Sequence, residues 1–209
     1  MGRRDFDEVR KLQEERISKL EELGEVCIFC EHSPVITAGV RTSEGELRQA
    51  REVADQLEIP LVEVSRGGAI SFHLPGMLML YPVCNLRARK TGIKKFVESV
   101  FDIFSESVAE SFGRAQLEFF TDFSKPGLWS AQSEKKVASV GLKIERGVSN
   151  HGFAFNLSNS LVTLEALNPC GISASNYSRI DLELGLESLS QNQLYTKLVS
   201  TMSPKLYLF

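Results

Sequence analysis

The sequence has no basic excess, few cysteines and no long apolar run, and each of these absences excludes a class of protein. Its net charge is −3 at pH 7, whereas a nucleic-acid groove normally shows an excess of lysine and arginine. Four cysteines in 209 residues are too few for a disulfide scaffold, so we expect reduced thiols. No apolar run approaches the length of a membrane span. We therefore expect no nucleic-acid partner and no membrane partner.

The amino-terminal sequence, MGRRDFDEVRKLQEER, is charged throughout and lacks the apolar segment of a secretory signal. Phe6 stands where a myristoylation site needs serine or threonine. The expected compartment is the cytoplasm. A hydrophobic content of 43% is enough for one substantial core, so we expect a single domain over residues 1–209.

Apolar spacing and turn residues predict both helices and strands. Helices are expected over residues 5–23, from the capping box Ser43-x-x-Glu46 to Leu57, over 91–113, and from 189 until Pro204 ends the last one. Strands are expected over 25–32, 61–65 and 117–120, and as a pair, 136–146 and 151–157, with a turn at 147–150. Residues 36–39 are expected to lead into a loop.

Cys27, Cys30 and His32 raise the possibility of a zinc site, because thiolates and imidazoles are the usual zinc ligands. On a strand, however, Cys30 and His32 share one face while Cys27 points to the other. The sequence has no second Cys-x-x-Cys pair. We expect no metal site.

The most unusual stretch is residues 66–82, RGGAISFHLPGMLMLYP. Paired glycines after a strand let a backbone approach a ligand closely and leave amide N–H groups to face it. The spacing fits neither a P-loop nor GxGxxG. An equally valid interpretation is a hairpin with a Gly-Gly bulge and a core histidine.

Two reactive side chains, Lys136 and Cys170, fall in tight backbone structure. Cys170 sits in the turn Asn168-Pro169-Cys170-Gly171, and Lys136 could stabilise its thiolate or take its proton. The alternatives are a small buried cysteine and a solvated lysine.

Five cations fall within nine residues that contain no acid: Arg87, Arg89, Lys90, Lys94 and Lys95. Such a run is usually a solvated face, but it is also the best candidate in this chain for docking an acidic protein.

Taken together, these motifs resemble the lipoyl(octanoyl) transferases, also called octanoyl-acyl-carrier-protein:protein N-octanoyltransferases or lipoate-protein ligase B. The family signature is Arg-Gly-Gly, two residues, Thr, an aromatic residue and His, then a Pro-Gly-Gln turn and a strand ending in Tyr-Pro. The matches are Arg66-Gly67-Gly68, Phe72-His73, Pro75-Gly76, Tyr81-Pro82, Glu31-His32-x-Pro34 with Thr37 and Gly39, Lys136-x-Ala138 before Gly141, His151-Gly152 before Asn156, and Asn168-Pro169-Cys170-Gly171.

The resemblance implies an α+β fold like that of the biotin and lipoate ligases, with a mixed β-sheet flanked by helices and the acyl chain in an apolar tunnel. By position, it makes Cys170 the acyl-accepting nucleophile and Lys136 the residue that lowers the pKa of that thiol and assists proton transfer. The implied substrate-binding residues are Arg66, Gly67, Gly68, Ala69, Ile70, Ser71, Phe72, His73, Ser139, Val140, Gly141, Gly152, Phe153 and Ala154.

The implied reaction moves an octanoyl group from octanoyl-acyl carrier protein to a lysine of a lipoyl domain or of the glycine-cleavage H protein, through an acyl-cysteine. A thioester donor is already activated, so no ATP, metal or other cofactor is expected. Backbone N–H groups near Cys170 or in Gly67-Gly68 are candidate oxyanion donors. His73 is expected to line the pocket or to form a hydrogen bond there.

Three positions depart from the family pattern: Ser71 replaces threonine, Leu74 replaces glycine and Met77 replaces glutamine. Ser71 keeps a hydroxyl, while Leu74 and Met77 are expected to change the wall and polarity of the acyl pocket. Three other functions fit the same motifs: an ATP-using lipoate ligase of the same fold, a carrier-to-carrier octanoyltransferase, and a catalytically silent module that binds an acyl chain or a carrier protein.

Overall fold

The computed structural model describes residues 2–114, 116–167 and 172–208. Within these residues, one large sheet contains β1 (Arg3–Arg4), β2 (Val26–His32), β6 (Met77–Val83), β7 (Phe119–Asp122), β8 (Gly127–Ser130), β9 (Lys136–Glu145) and β10 (Val148–Asn156). Their spatial order is β1-β2-β6-β10-β9-β8-β7. β1 is parallel to β2 and the other neighbours are antiparallel, so the sheet is mixed.

A small sheet contains β3 (Val35–Ala38), β4 (Leu61–Glu63) and β5 (Ile70–His73) in the order β4-β3-β5. β3 is parallel to β4 and antiparallel to β5. The helices of the described chain are α1 (Phe6–Ser18), α2 (Leu20–Leu23), α3 (Glu44–Leu57), α4 (Ile93–Phe112), α5 (Val162–Glu165), α6 (Ile180–Leu184) and α7 (Gln191–Leu208).

The large sheet separates two layers of apolar side chains. One layer, here called the α4 layer, lies between the sheet and α4, α6 and α7. The other, here called the cleft layer, lies between the sheet and α1, α3 and the small sheet. β6 shows the division: Leu78 and Leu80 enter the α4 layer, and Met77, Met79 and Tyr81 enter the cleft layer. A strand covered on both faces is apolar at every position, as β6 is.

Several local predictions are confirmed by the geometry. The Ser43 hydroxyl accepts the Glu46 N–H at 3.3 Å while the Glu46 carboxylate accepts the Ser43 N–H at 2.8 Å, which is the predicted capping box. The long helix α4 ends at Gly113, whose φ of 64° is left-handed. β9 and β10 form the predicted pair, but the turn between them is Arg146-Gly147 rather than residues 147–150.

Two predictions for the small sheet are wrong. Residues 36–38 belong to β3 instead of a loop, because they pair with β4 and β5, which lie far away in sequence. The hairpin interpretation of residues 66–82 also fails: β5 pairs with β3, whereas β6 pairs with β2 and β10. The turn at Pro75-Gly76 therefore carries the chain from one sheet to the other.

The predicted first helix is two helices, because the chain breaks at Lys19. The Ser18 hydroxyl donates to the Glu15 carbonyl oxygen at 2.8 Å and competes with the helical pattern there. The last helix continues through Pro204. Met202 and Leu206 are buried against α4, and this packing outweighs the single helical N–H that proline removes. β4 ends two residues earlier than predicted, and β7 lies two residues later.

None of the helices described here is long and apolar enough to cross a bilayer.

Candidate active site

A cleft of roughly 550 Å³, open mouth included, lies where the β9–β10 hairpin and β6 face the small sheet. Eleven of the fourteen residues that the resemblance assigns to substrate binding line it: Arg66, Gly68, Ile70, Ser71, His73, Ser139, Val140, Gly141, Gly152, Phe153 and Ala154. They come from three separate stretches of sequence, and the fold brings these stretches to one cavity.

Two glycines leave part of the cleft floor without side chains. Gly141 of β9 and Gly152 of β10 are directly paired. A Cβ atom at Gly141 would lie 2.9 Å from Arg66 Cδ and 3.0 Å from the Gly67 carbonyl oxygen. A Cβ atom at Gly152 would overlap the Leu80 carbonyl group of β6. Glycine at position 141 therefore leaves room for the Arg66 side chain, and glycine at position 152 allows β10 and β6 to approach closely.

Arg66 is buried beside this glycine pair and ties the loop before β5 to β3. Its Nη2 atom donates to the carbonyl oxygen and to the hydroxyl of Thr37, both at 2.8 Å. Its Nη1 atom donates to the Gly67 carbonyl oxygen at 3.0 Å. Gly39 makes room for this group, since a Cβ atom there would lie 2.7 Å from Nη1. The guanidinium is thus held in one orientation by backbone and hydroxyl oxygens.

The same threonine orients His73. Because the Thr37 hydroxyl accepts a hydrogen bond from Arg66, its own proton is directed to His73 Nε2, 3.0 Å away. The neutral ring then carries its proton on Nδ1, which is buried and has no hydrogen-bond partner within the described residues. His73 is 5% exposed, lines the cleft and stacks on Phe6. Since an unpaired buried donor is costly, Nδ1–H is a candidate to bind a substrate oxygen.

The three histidines of the chain all lie in this region with lowered pKa values. Burial lowers the pKa of His73 well below its usual value, and the positive charge of Arg66 acts in the same direction. Burial, Arg66, Lys143 and Arg10 lower the pKa of His151 to about 4. Burial also lowers the pKa of His32, whose Nε2 lies 2.8 Å from the Tyr81 hydroxyl. The three rings are therefore neutral near pH 7.

The faces predicted for the Cys27-x-x-Cys30 stretch are confirmed. Cys30 Sγ lies 3.7 Å from His32 Nε2 in the cleft layer, while Cys27 packs against the α4 layer. In the part of the chain that the structure describes, no three potential metal ligands come together.

Lys136 begins β9 and is only 2% exposed, which is rare for lysine. Its Nζ atom lies 6.0 Å from the centre of the Trp129 ring and 5.9 Å from that of Tyr177. A register shift between β8 and β9 interrupts the regular alternation here. Val137 and Ala138 both pack in the α4 layer, and the lysine side chain lies with the two rings of the cleft layer.

The predicted nucleophile, Cys170, lies outside the described residues, together with Asn168, Pro169 and Gly171. The residues next to this segment, Leu167 and Ile172, are buried in the same layer as Trp129 and Tyr177. Further along the chain, the Ser178 N–H donates to the Lys136 carbonyl oxygen at 2.9 Å. The described residues on either side of Cys170 in the sequence, Leu167 and Ile172, therefore lie in the layer that holds the lysine amine.

Three of the predicted lining residues have other positions. Phe72 is buried in the core of the cleft layer. The Ala69 carbonyl oxygen accepts the Gly39 N–H at 3.1 Å, and the Gly67 N–H donates to the Leu142 carbonyl oxygen at 3.0 Å. The prediction that both glycine amides stay available to a ligand is wrong for Gly67, because β9 uses that amide. Gly68 remains as the glycine donor at the cleft.

Two of the three departures from the family pattern lie beyond the cleft wall. Leu74 and Met77 are buried in the turn between β5 and β6, where the Leu74 N–H donates to Met77 Sδ at 3.3 Å. The expectation that they form part of the pocket wall is not met by the cleft described here, because the Pro75-Gly76 turn folds them onto each other.

Five further residues line the cleft and were not predicted to do so: Phe6, Met79, Tyr81, His151 and Tyr177. Tyr81 and His151 stand within the motifs Tyr81-Pro82 and His151-Gly152, so the sequence contained a signal for them. Phe6 and Tyr177 carry no such local signal, because α1 and the segment after Ile172 reach the cleft only through packing.

The two-layer architecture defines a class of protein, because solved lipoate–protein ligases share it. A putative lipoate protein ligase from T. acidophilum, with bound lipoic acid, gives a TM-score of 0.68 at 14% identity and covers 98% of this chain and 83% of that chain. A lipoate-protein ligase A bound with ATP gives a TM-score of 0.69 at 16% identity, with coverage of 98% and 83%. The predicted α+β, lipoate-ligase-like fold is confirmed.

The chain belongs to the lipoyl protein ligase A/B catalytic domain family, whose family model matches residues 6–203. An octanoyltransferase of Alkaliphilus metalliredigens (strain QYMF) is 33% identical over 187 residues, which cover 88% of this chain and 84% of that protein. An octanoyltransferase of Desulfotalea psychrophila (strain LSv54 / DSM 12343) is 34% identical over 160 residues, with coverage of 77% and 70%. The family inferred from the motifs is thus confirmed.

Proposed function

We propose that this protein transfers an octanoyl group from octanoyl-acyl carrier protein to a lysine of a lipoyl domain or of the glycine-cleavage H protein, with Cys170 as the acyl carrier. Relatives named octanoyltransferase match most of the chain, and the chain is an acyltransferase of protein lipoylation. The observation that supports the mechanism most is the buried amine of Lys136, enclosed by Trp129 and Tyr177 next to an apolar cleft.

In the first step, the Lys136 amine takes the proton of the Cys170 thiol, and the thiolate attacks the carbonyl carbon of the thioester. A new carbon–sulfur bond forms, the bond to the pantetheine sulfur breaks, and the lysine returns its proton to that sulfur. The pairing is supported by the neighbour of this segment in the sequence: Ile172 is buried in the layer of the lysine amine.

In the second step, the neutral amine of the acceptor lysine attacks the acyl-cysteine. The amide carbon–nitrogen bond forms, the carbon–sulfur bond to Cys170 breaks, and the amine proton passes through Lys136 to the departing sulfur. A thioester is consumed and an amide and a thiol are produced, so the reaction needs neither ATP nor a metal ion.

The cleft supplies the remaining functions in this proposal. Ile70, Met79 and Phe153 provide an apolar wall for the acyl chain. The His73 Nδ1–H and the Gly68 N–H are the donors available for the thioester oxygen, which becomes negatively charged in the transition state. The other substrate-binding residues inferred from the motifs complete the lining.

We further propose that residues 1–209 act as one catalytic domain, since the two layers share a single large sheet. The three cysteines that the structure describes, Cys27, Cys30 and Cys84, are free thiols. Reduced thiols are the state that the cytoplasm maintains, which supports the expected compartment.

The test is to mix the protein with octanoyl-acyl carrier protein in the absence of ATP, measure the intact mass and map the modified peptide. We expect one octanoyl group on Cys170, no adduct in Cys170→Ala, and an acylation rate reduced about 10²- to 10⁴-fold in Lys136→Ala, the range usual for lost acid–base catalysis. The matched controls are Cys27→Ala and Lys135→Ala, which alter a cysteine and a lysine outside the proposed site and should react like the wild type.

The competing functions give different results. A requirement for ATP would identify a lipoate ligase, and reversible binding without an adduct would identify a silent module. Transfer to a second carrier protein, with no transfer to a lipoyl domain, would identify a carrier-to-carrier transferase. An octanoyl group on a cysteine other than Cys170 would overturn the proposed mechanism.

A further inference from the structure

A second apolar depression, here called the α4 groove, lies between β9 and α4 and has a volume of roughly 730 Å³, open mouth included. Its apolar lining comes from α4, from the turn before β8 and from β9: Ile93, Val97, Phe123, Pro126, Val140 and Leu142. Ile93 is 50% exposed and Phe123 is 40% exposed, which is unusual for large apolar side chains that stand together.

The mouth of the α4 groove is basic. Arg41 and Lys94 belong to its lining, and Lys94 Nζ lies 4.9 Å above the centre of the Phe123 ring. Glu98 lies 4.0 Å from Lys94 Nζ, and the Asp122 carboxylate accepts hydrogen bonds from the N–H groups of Ser124 and Lys125. An anion at this mouth would therefore meet cations above an apolar surface.

Lys94 belongs to the cation run noted in the sequence. Exposed residues of this run are Arg87, Lys90, Lys94 and Lys95, just before α4 and in its first turn. Arg89, by contrast, is half-buried and donates to Glu25 at 2.8 Å, so it forms a salt bridge within the protein. The cations that line the groove itself are Lys94 and Arg41.

The groove and the cleft adjoin along β9. In the described residues, β8 pairs with β9 only as far as Gly127 opposite Ser139. Beyond that pair, the Gly67 N–H donates to the Leu142 carbonyl oxygen. Gly68, Val140 and Gly141 line both cavities, so the groove is bounded by residues that also form the cleft.

One side of the groove lies close to the lysine amine. Gly127 follows Pro126, a residue of the groove, and a Cβ atom at Gly127 would lie 3.2 Å from Lys136 Nζ. The groove wall at Pro126 is thus one residue away from a glycine that adjoins the proton carrier of the proposed function.

We propose that the α4 groove binds the phosphopantetheine arm of the acyl carrier protein, with its phosphate at Arg41 and Lys94 and its thioester where the groove adjoins the cleft near Lys136. This inference rests on the proposed function. The order of chemical groups agrees: the arm has a phosphate at its outer end, an apolar dimethyl group and two amides along a thin chain, and the thioester at its inner end. The exposed lysines Lys90 and Lys95 would then face the acidic carrier itself.

The experiment compares three octanoyl thioesters: octanoyl-acyl carrier protein, octanoyl-4′-phosphopantetheine and S-octanoyl-N-acetylcysteamine, which lacks the phosphate and most of the arm. We expect Ile93→Glu and Phe123→Glu to raise KM about tenfold for the first two donors, the effect of losing one apolar contact. Their kcat/KM for the short thioester should stay within twofold of the wild type. Leu57→Glu, which alters an apolar residue of α3 that is 44% exposed, is the matched control.

Charge reversal at Lys94 provides an independent test. Lys94→Glu should raise KM for both phosphate-bearing donors, and more strongly for the carrier protein at low ionic strength, whereas Lys11→Glu on α1 should not. An effect confined to the carrier protein would show that Lys94 contacts the carrier surface and would overturn its assignment to the phosphate.

The outcomes separate the two proposals. If the wild type fails to transfer octanoyl from any of the three donors, the proposed function is wrong. If the wild type is active and the groove variants have unchanged KM values for the two phosphate-bearing donors, the phosphopantetheine arm binds elsewhere. An equal loss with all three donors would also overturn the groove assignment, because the short thioester does not reach the groove.

Discussion

His151 should make folding stability depend on pH in a predictable way. Its ring is buried, and the charges of Arg66, Lys143 and Arg10 act in the same direction as burial, so its pKa in the folded protein is about 4 against an ordinary value of 6.5. In the unfolded chain the ring protonates as the pH falls through 6.5, while in the folded protein it stays neutral until about pH 4. The unfolded state therefore binds one more proton in this window, and acid favours it.

The size of the effect follows from the two pKa values. Between pH 8 and pH 5, His151 alone should remove about 2 kcal/mol from the free energy of unfolding, and the loss should level off near pH 4. His32 and His73 have pKa values shifted in the same direction, so they add to the loss in the wild type.

The variant His151→Asn isolates the contribution of one ring. Asparagine does not titrate, and it tolerates the left-handed backbone at this position, where φ is 58°. Urea unfolding at pH 8, 6 and 5 should show that the variant loses about 2 kcal/mol less than the wild type between pH 8 and pH 5, since the other titrating groups are common to both proteins. Parallel curves of unfolding free energy against pH would refute the reasoning.

Three other substitutions test the geometry of the site and its frame. Gly141→Ala should displace Arg66, cost about 1–3 kcal/mol and lower kcat/KM for octanoyl transfer at least about tenfold; an unchanged kcat/KM would contradict this. Thr37→Val should cost about 2 kcal/mol or more in urea unfolding, because it removes one hydrogen bond of Arg66 and takes the hydroxyl partner from the buried Nε2 of His73, and Thr37→Ser should recover most of the loss. Ser43→Ala should lower the unfolding free energy by about 1 kcal/mol through loss of the capping box, and an unchanged urea midpoint would count against that role.

The local elements could be predicted where the physical cause is itself local. The capping box at Ser43, the long apolar face of α4 and its end at Gly113 are set by residues within one or two helical turns. The alternation of β9 and β10 is a property of each strand. The predictions failed where a distant partner decides the structure: β3 is a strand because β4 and β5 pair with it, and α7 continues past Pro204 because it packs on α4.

The candidate site also has a part that could be predicted from the sequence and a part that depends on distant partners. The family resemblance implied eleven of the lining residues. The glycines among them stand out in the sequence, because close backbone approach demands glycine. The motif could not show that the Gly67 amide is taken by Leu142, or that Phe6 and Tyr177 close the cleft. Those facts depend on which elements pack together.

The sequence by itself determined the family, the residue types available for the reaction and most of the short-range structure, because these follow from motifs and from interactions between near neighbours. Only the tertiary structure decided that Lys136 is buried beside Trp129 and Tyr177, that Thr37 aligns Arg66 with His73, and that a groove beside α4 shares three residues with the cleft. Each of these arrangements joins residues that are distant in the chain, and such contacts are selected by the packing of whole sheets and helices.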